Sequence, residues 1–180
     1  MSVSVSLEDR HENVSTIIET SEVWLRFKVH NKVGREAAVN AEVLLLSIRR
    51  PLIRNGRKFI VPSRGLKWSD VPREQMSIPG NSWRRVDFLI LAGKESASGH
   101  LAAPALQRYG PGDWPPEARH RLVDGGEYSF DVVLIADNAD STYWRITFTY
   151  TPMPDAPIDR MHEEVSSIAV KEIQQAEVNS

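Results

Sequence analysis

The stretch YSFDVVLIADNADSTYWRITFTYT, residues 128 to 151, reads as two strands joined by a short turn. In its first part Tyr128, Phe130, Val132 and Leu134 fall on one face, and in its second part Trp144, Ile146, Phe148 and Tyr150 do the same. An apolar side chain at every second position is the period of a strand lying on a core. Between the two parts, Asp137-Asn138-Ala139-Asp140-Ser141 is short and rich in turn formers, which predicts a hairpin.

The same period extends toward the N-terminus. Val3, Val5 and Leu7 alternate with Ser2, Ser4 and Ser6. From Glu22 to Asn31, Val23, Leu25, Phe27 and Val29 share one face, and Trp24, Arg26, Lys28 and His30 the other. Asn31-Lys32-Val33-Gly34 supplies turn chemistry before Ala37 to Ile48, whose β-branched, apolar middle suits a central strand. Further strands are predicted at Arg57 to Val61 and Trp83 to Leu91. Together these predict an all-β antiparallel sandwich of about seven strands. Arg64 to Gly80 and Ala92 to Gly126 read as long loops, rich in Pro and Gly.

Past residue 152 the pattern changes. Asp155 can cap a helix with Pro157 in its first turn, and Ile158, Met161, Val165 and Ile168 recur at helical spacing. Acidic residues (Asp155, Asp159, Glu163, Glu164, Glu172, Glu177) outnumber basic ones (Arg160, Lys171) in this segment. The expectation is a sandwich over residues 1–152 and an acidic helical tail over 153–180. Its apolar stripe would pack on the sandwich or on another chain.

With 41% hydrophobic and 26% charged residues, the chain has the composition of a globular domain rather than of a disordered or fibrous one. A formal charge of −2 gives no global attraction to nucleic acid or anionic lipid, so any electrostatic case is local. The absence of cysteine excludes disulfides, thiolate metal sites and a cysteine nucleophile. Met1 to Asp9 lacks the basic start and apolar run of a signal peptide, and the longest apolar runs are too short to span a bilayer. A cytoplasmic location is expected, with the soluble part of a membrane-attached protein as the alternative.

Two motifs carry a resemblance. Asp124-Gly125-Gly126-Glu127-Tyr128-Ser129-Phe130 resembles the Asp-x-Gly-x-Tyr-x-Cys stretch entering the sixth strand of immunoglobulin domains. Val29-His30-Asn31 with Gly34 and Ala38, then Ile78-Pro79-Gly80-Asn81-Ser82-Trp83, then Gly126, Tyr128 and Asp137 resemble bacterial immunoglobulin-like domains of the cell-adhesion-related, fibronectin III-like type. The likeness spans Leu7 to Pro152, with the 92–126 insertion and the tail as departures. It implies an immunoglobulin-like sandwich, a Tyr128 hydroxyl bonded back to the corner backbone, and Phe130 as an apolar core contact where a cysteine would stand. It implies no catalytic residues, because such domains serve adhesion, spacing or assembly.

The residues themselves offer little for catalysis. His11, His30, His100, His120 and His162 lack metal-ligand spacing, so solvated or structural histidines are expected. The Asp137 loop lacks the glycine and distal glutamate of a calcium loop. There is no nucleophile elbow or phosphate-binding loop, and Glu163-Glu164 is expected in a solvated helix. No enzymatic activity and no cofactor are expected.

The strongest local signal is basic: Arg49, Arg50, Arg54, Arg57, Lys58, Arg64 and Lys67, uninterrupted by any acidic residue and followed by Trp68. Such a stretch can serve a protein partner, a nucleic acid or anionic surface, or simply the solvated protection of a sheet edge. The acidic tail could also fold onto it. Trp114, between Asp113 and Pro115-Pro116, is a candidate anchor. The expected function is a non-enzymatic protein-interaction or assembly module, in a homo-oligomer or with a protein partner. Its contacts are drawn from the basic stretch, Trp68, Trp114 and the tail stripe of Ile158, Met161, Val165 and Ile168. Binding of nucleic acid or an anionic surface through Arg49–Trp68 is the alternative.

Overall fold

The computed structural model of the chain describes residues 3–6, 14–17, 22–31, 36–50, 58–69, 75–93, 100–106 and 121–178. The alternating segments form strands β1 (Val3–Ser6), β2 (Val14–Ile17), β3 (Glu22–Asn31), β4 (Ala38–Arg49), β5 (Lys58–Gly65) and β6 (Lys67–Trp68). They continue with β7 (Met76–Ile78), β8 (Ser82–Ala92), β9 (Leu101–Pro104), β10 (Gly126–Ala136), β11 (Ala139–Tyr150) and β12 (Val165–Ile173). The short strands β6, β7 and β9 lie in stretches that read as loops, because two to four residues beside Pro and Gly are too few to show a period.

The strands make two antiparallel, six-stranded sheets. The first runs β1-β3-β8-β6, with β2 also on β3 and β9 also on β8, and the second runs β12-β11-β10-β4-β5, with β7 also on β4. Their facing surfaces share one core. Phe88 of the first sheet lies 6.1 Å from Phe148 of the second, and Phe148 lies 5.1 Å from Phe130 and 5.9 Å from Tyr128. All four rings are buried. Each such ring contributes about 3–5 kcal/mol by the cost of truncating it to alanine.

The β10–β11 hairpin closes through Asp137-Asn138 alone, since strand pairing resumes at Ala139. Ala139, Asp140 and Ser141 are therefore strand rather than loop. The Asn138 amide accepts from the Val39 N–H at 3.0 Å and donates to the Ala37 carbonyl at 2.8 Å, which fastens the hairpin tip to the start of β4. Asp137 takes a 2.6 Å bond from Asn40. The side-chain oxygens of Asp137 and Asn138 thus serve the turn. At the other end of the hairpin the Tyr128 hydroxyl donates to the Asp124 carbonyl at 2.9 Å, and Phe130 is fully buried.

The tail corrects the expectation of an α-helix. Ile158–Glu164 forms a 3₁₀ segment, the chain then extends, and Val165–Ile173 pairs with β11 as the outermost strand of the second sheet. The helix-like spacing has a physical origin. Opposite Phe148 the register slips and Ser167 adopts a φ of 52°, so β12 carries an extra residue there. That bulge turns both Val165 and Ile168 toward the core, and their three-residue spacing mimics a helical repeat. A short helix, α1 (Gln175–Val178), follows.

Candidate interaction face

The outer face of the first sheet is built by the polar positions of β3 and the facing positions of β8. Register sets His30 opposite Trp83, Lys28 opposite Arg85 and Arg26 opposite Asp87, with Lys67 of β6 also opposite Asp87. Trp83 is 41% exposed, the one exposed aromatic side chain among the described residues. The Lys28 ammonium lies 4.2 Å above its ring and the Arg85 guanidinium 5.2 Å away. Each cation over an indole contributes about 0.5–1 kcal/mol at a surface. Lys28 and Arg85 are like charges on directly opposed positions, an arrangement that repels. Burial of the Lys28 stem, and then the Arg85 charge, hold its ammonium below the ordinary lysine range.

Asp87 anchors the middle of this face. Its buried carboxylate accepts from Arg26 Nε at 2.7 Å and from the Ser69 hydroxyl at 2.6 Å. Burial raises its pKa, against the lowering effects of the Ser69 bond and of the Arg26 and Lys67 charges. Beyond Asp87 the face turns apolar, where Ile90, Ala92, Leu101 and Ala103 form a second buried cluster with half-buried Trp24 against it. Lys67 lies 4.4 Å over the Trp24 ring. The described cations Arg26, Lys28, Arg85 and Lys67 share this face with the Asp87 carboxylate and, at its far end opposite Ala92, with Glu22.

The basic stretch singled out by sequence is distributed differently. Arg49 reaches Asp131 at 3.6 Å and the Glu177 carbonyl at 3.4 Å, and Arg50 donates to the Arg121 carbonyl at 3.5 Å. Arg64 is half-buried at the end of β5, and Lys67 belongs to the face just described. Trp68 is not a surface contact: it is 1% exposed and belongs to the main core. Lys58 opens β5, with its side chain outside the described residues, as are Arg54, Arg57 and Trp114. The tail stripe is likewise internal, with Met161 and Val165 buried and Ile158 and Ile168 packed against the core.

On the outer face of the second sheet, Asp131 is fully buried. Arg145 grips it through Nε at 2.6 Å and Nη2 at 3.1 Å, and the Ser47 hydroxyl adds a 3.0 Å bond. The hydrogen bond that Arg145 donates to Asp131 raises the Arg145 pKa further. Arg145 also donates to the Glu177 carbonyl at 3.1 Å. The acidic tail therefore does fold back onto Arg49, through a main-chain carbonyl.

Glu164 and His100 form a pair that sequence did not show. Glu164 is fully buried, and its Oε1 lies 2.7 Å from His100 Nε2 and 3.3 Å from the Met153 N–H. Burial, and next the Glu164 charge, push the Tyr150 phenol well above its ordinary range, so it stays protonated. The pair joins residues 64 positions apart, and only the buried Met161 and Val165 on either side of Glu164 hinted at its burial. Glu164, expected in a solvated helix, is thus buried at the end of the 3₁₀ segment, and His100 is its half-buried partner.

Among the described residues no three metal-ligating side chains gather, and no helix is long and apolar enough to cross a membrane. No family model matches this chain, and no curated protein or solved structure matches it.

Proposed function

We propose that this chain is a non-enzymatic protein-interaction module of immunoglobulin-like type that presents the outer face of its first sheet to a partner. The observation that carries this reading is Trp83, exposed on a sheet face and flanked by Lys28 and Arg85. Tryptophan and arginine are the residues most enriched at the energetic centres of interfaces. The immunoglobulin-like reading is supported by the strand partition. Immunoglobulin sandwiches set their first, second, fourth and fifth strands in one sheet and their third, sixth and seventh in the other. Taking β1 and β2 as the first strand, β3, β6 and β8 complete one set, and β4, β10 and β11 form the other. The Tyr128–Asp124 bond adds to this support. The non-enzymatic reading is supported by the structural partners of Asp87, Asp131 and Glu164.

The test is affinity purification of the tagged chain from its native host beside the Trp83→Ala variant. A protein recovered in stoichiometric amount with the first and lost with the second is the expected result. A partner retained by the variant would place the interface elsewhere.

A further inference from the structure

We infer that α1 is a releasable strap over a second interaction face, the outer face of the second sheet. In place of α1 that face takes a segment of a protein partner with a carboxylate residue directly before an aliphatic one. It lies on the opposite sheet from Trp83 and stands independently of it.

Register builds the face. One rung sets Leu44, Val133, Tyr143 and Ile173 side by side across four strands, and the next sets Ser47, Asp131, Arg145 and Lys171. Beyond the charged rung, Arg49 stands between Ser129 and Lys58. Val133 and Ile173 are buried, yet neither belongs to the core between the sheets. The segment seated on this face is α1. Its Glu177 carbonyl accepts from Arg49 and Arg145, and the next side chain, Val178, is buried outside that core as well.

Three observations carry the inference. The first is how lightly α1 is held. It has four residues, far fewer than a helix needs to persist by itself, and Val178 is its one buried residue. Gln174, Gln175 and Ala176 are exposed. A single turn anchored by one side chain and a few hydrogen bonds opens far more readily than the sheet beneath it.

The second is fit. Arg49 and Arg145 share the single Glu177 carbonyl at 3.4 and 3.1 Å, longer than the about 2.7–2.9 Å of a guanidinium on a carboxylate. Arg49 Nε is enclosed with no acceptor. The two oxygens of a carboxylate serve these donors better than one carbonyl does.

The third is charge. After the hydrogen bond to Asp131 and its charge, the Glu177 charge also raises the Arg145 pKa, so the Glu177 carboxylate belongs to this cluster. That carboxylate caps its own turn, accepting from the Gln174 N–H at 2.8 Å, and it leaves when α1 leaves. Asp131 is then the one carboxylate beside Arg49, Arg145 and Lys171 among the described residues of these rungs, with Glu42 and Glu127 one rung further out on either side. An Asp or Glu of the partner restores the balance, and the aliphatic residue after it takes the place of Val178. The Glu177-Val178 pair of α1 is the template for that segment.

The test uses the full chain with Val178→Ser, which withdraws the buried anchor of α1. The probe is the capped peptide Gln-Gln-Ala-Glu-Val, beside counterparts with Ser for Val and with Gln for Glu. Thermal unfolding checks the variant, and amide NMR shifts report binding. The variant is expected to keep a cooperative transition near that of wild type. The peptide is expected to shift Val133, Arg145 and Ile173, and to bind wild type roughly tenfold more weakly, because α1 competes there. The Ser peptide is expected not to bind, the Gln peptide to bind more weakly, and Arg49→Gln in the same chain to weaken binding. Loss of the cooperative transition in Val178→Ser makes α1 part of the fold and overturns the inference. So does a peptide that does not bind, that binds wild type equally well, that binds equally with Ser for Val, or that shifts other residues instead.

Discussion

The Tyr128 hydroxyl donates to the Asp124 carbonyl at 2.9 Å while the ring beneath it stacks on Phe148 at 5.9 Å. One side chain thus ties the turn before β10 to the centre of the core. Burial pushes the phenol above its ordinary range, so it remains a donor. Tyr128→Phe removes the bond and keeps the ring, and is expected to lose about 1 kcal/mol in urea unfolding. Tyr128→Ala is expected to lose about 3–5 kcal/mol. Equal stability of Tyr128→Phe and wild type would show that the corner bond contributes nothing.

Asp131 is the hub of the second sheet's outer face. Asp131→Ala leaves the Arg145 and Arg49 guanidiniums beside a void and is expected to cost about 3–5 kcal/mol. Replacing Asp131 and Arg145 together by apolar residues of similar volume should cost less than Asp131→Ala alone. Denaturant unfolding of the single and double variants checks this, and strict additivity would contradict it.

Asp87 gives a pH dependence of defined sign. Its folded pKa is raised, chiefly by burial, so the folded state holds the proton more tightly than the unfolded chain does. Its contribution is therefore fully present below the unfolded carboxylate pKa and is lost as pH rises through the folded value. The stability of wild type minus that of Asp87→Asn should be greater at pH 4 than at pH 7. A difference that grows with pH would reverse the assignment.

The tail belongs to the fold. A chain ending at Pro154 loses β12, buried Met161 and buried Val165, and bares the edge of β11. Thermal unfolding is expected to show loss of the cooperative transition, and light scattering the growth of aggregates. A truncated chain that melts at the full-length temperature would contradict this.

The strand pattern was legible wherever one face is apolar and the other polar, as in Glu22–Asn31, where the expected and observed limits coincide. It failed at β12, because a bulge at Ser167 disguises a strand as a helical repeat. Trp68 was misread for another reason: a basic neighbourhood in sequence says nothing about which side of a two-residue strand faces the core. The polar face of β3 was visible, but its partner residues are far along the chain. Only pairing with β8 brings Arg85 to Lys28 and Trp83 to His30. Buried pairs such as Glu164 with His100 are hidden in the same way, since a single sequence carries no record of distance across the fold.

The central claim is the location of the binding face, and it is tested most directly by mapping amide and indole NMR shifts as the protein partner recovered with the tagged chain is added to the labelled chain. The account predicts shifts concentrated at Lys28, Trp83 and Arg85, including the Trp83 indole signal, with the Asp131–Arg145 region unmoved. Shifts centred on Arg49 and Arg50 or on β12, with Trp83 unchanged, would contradict it.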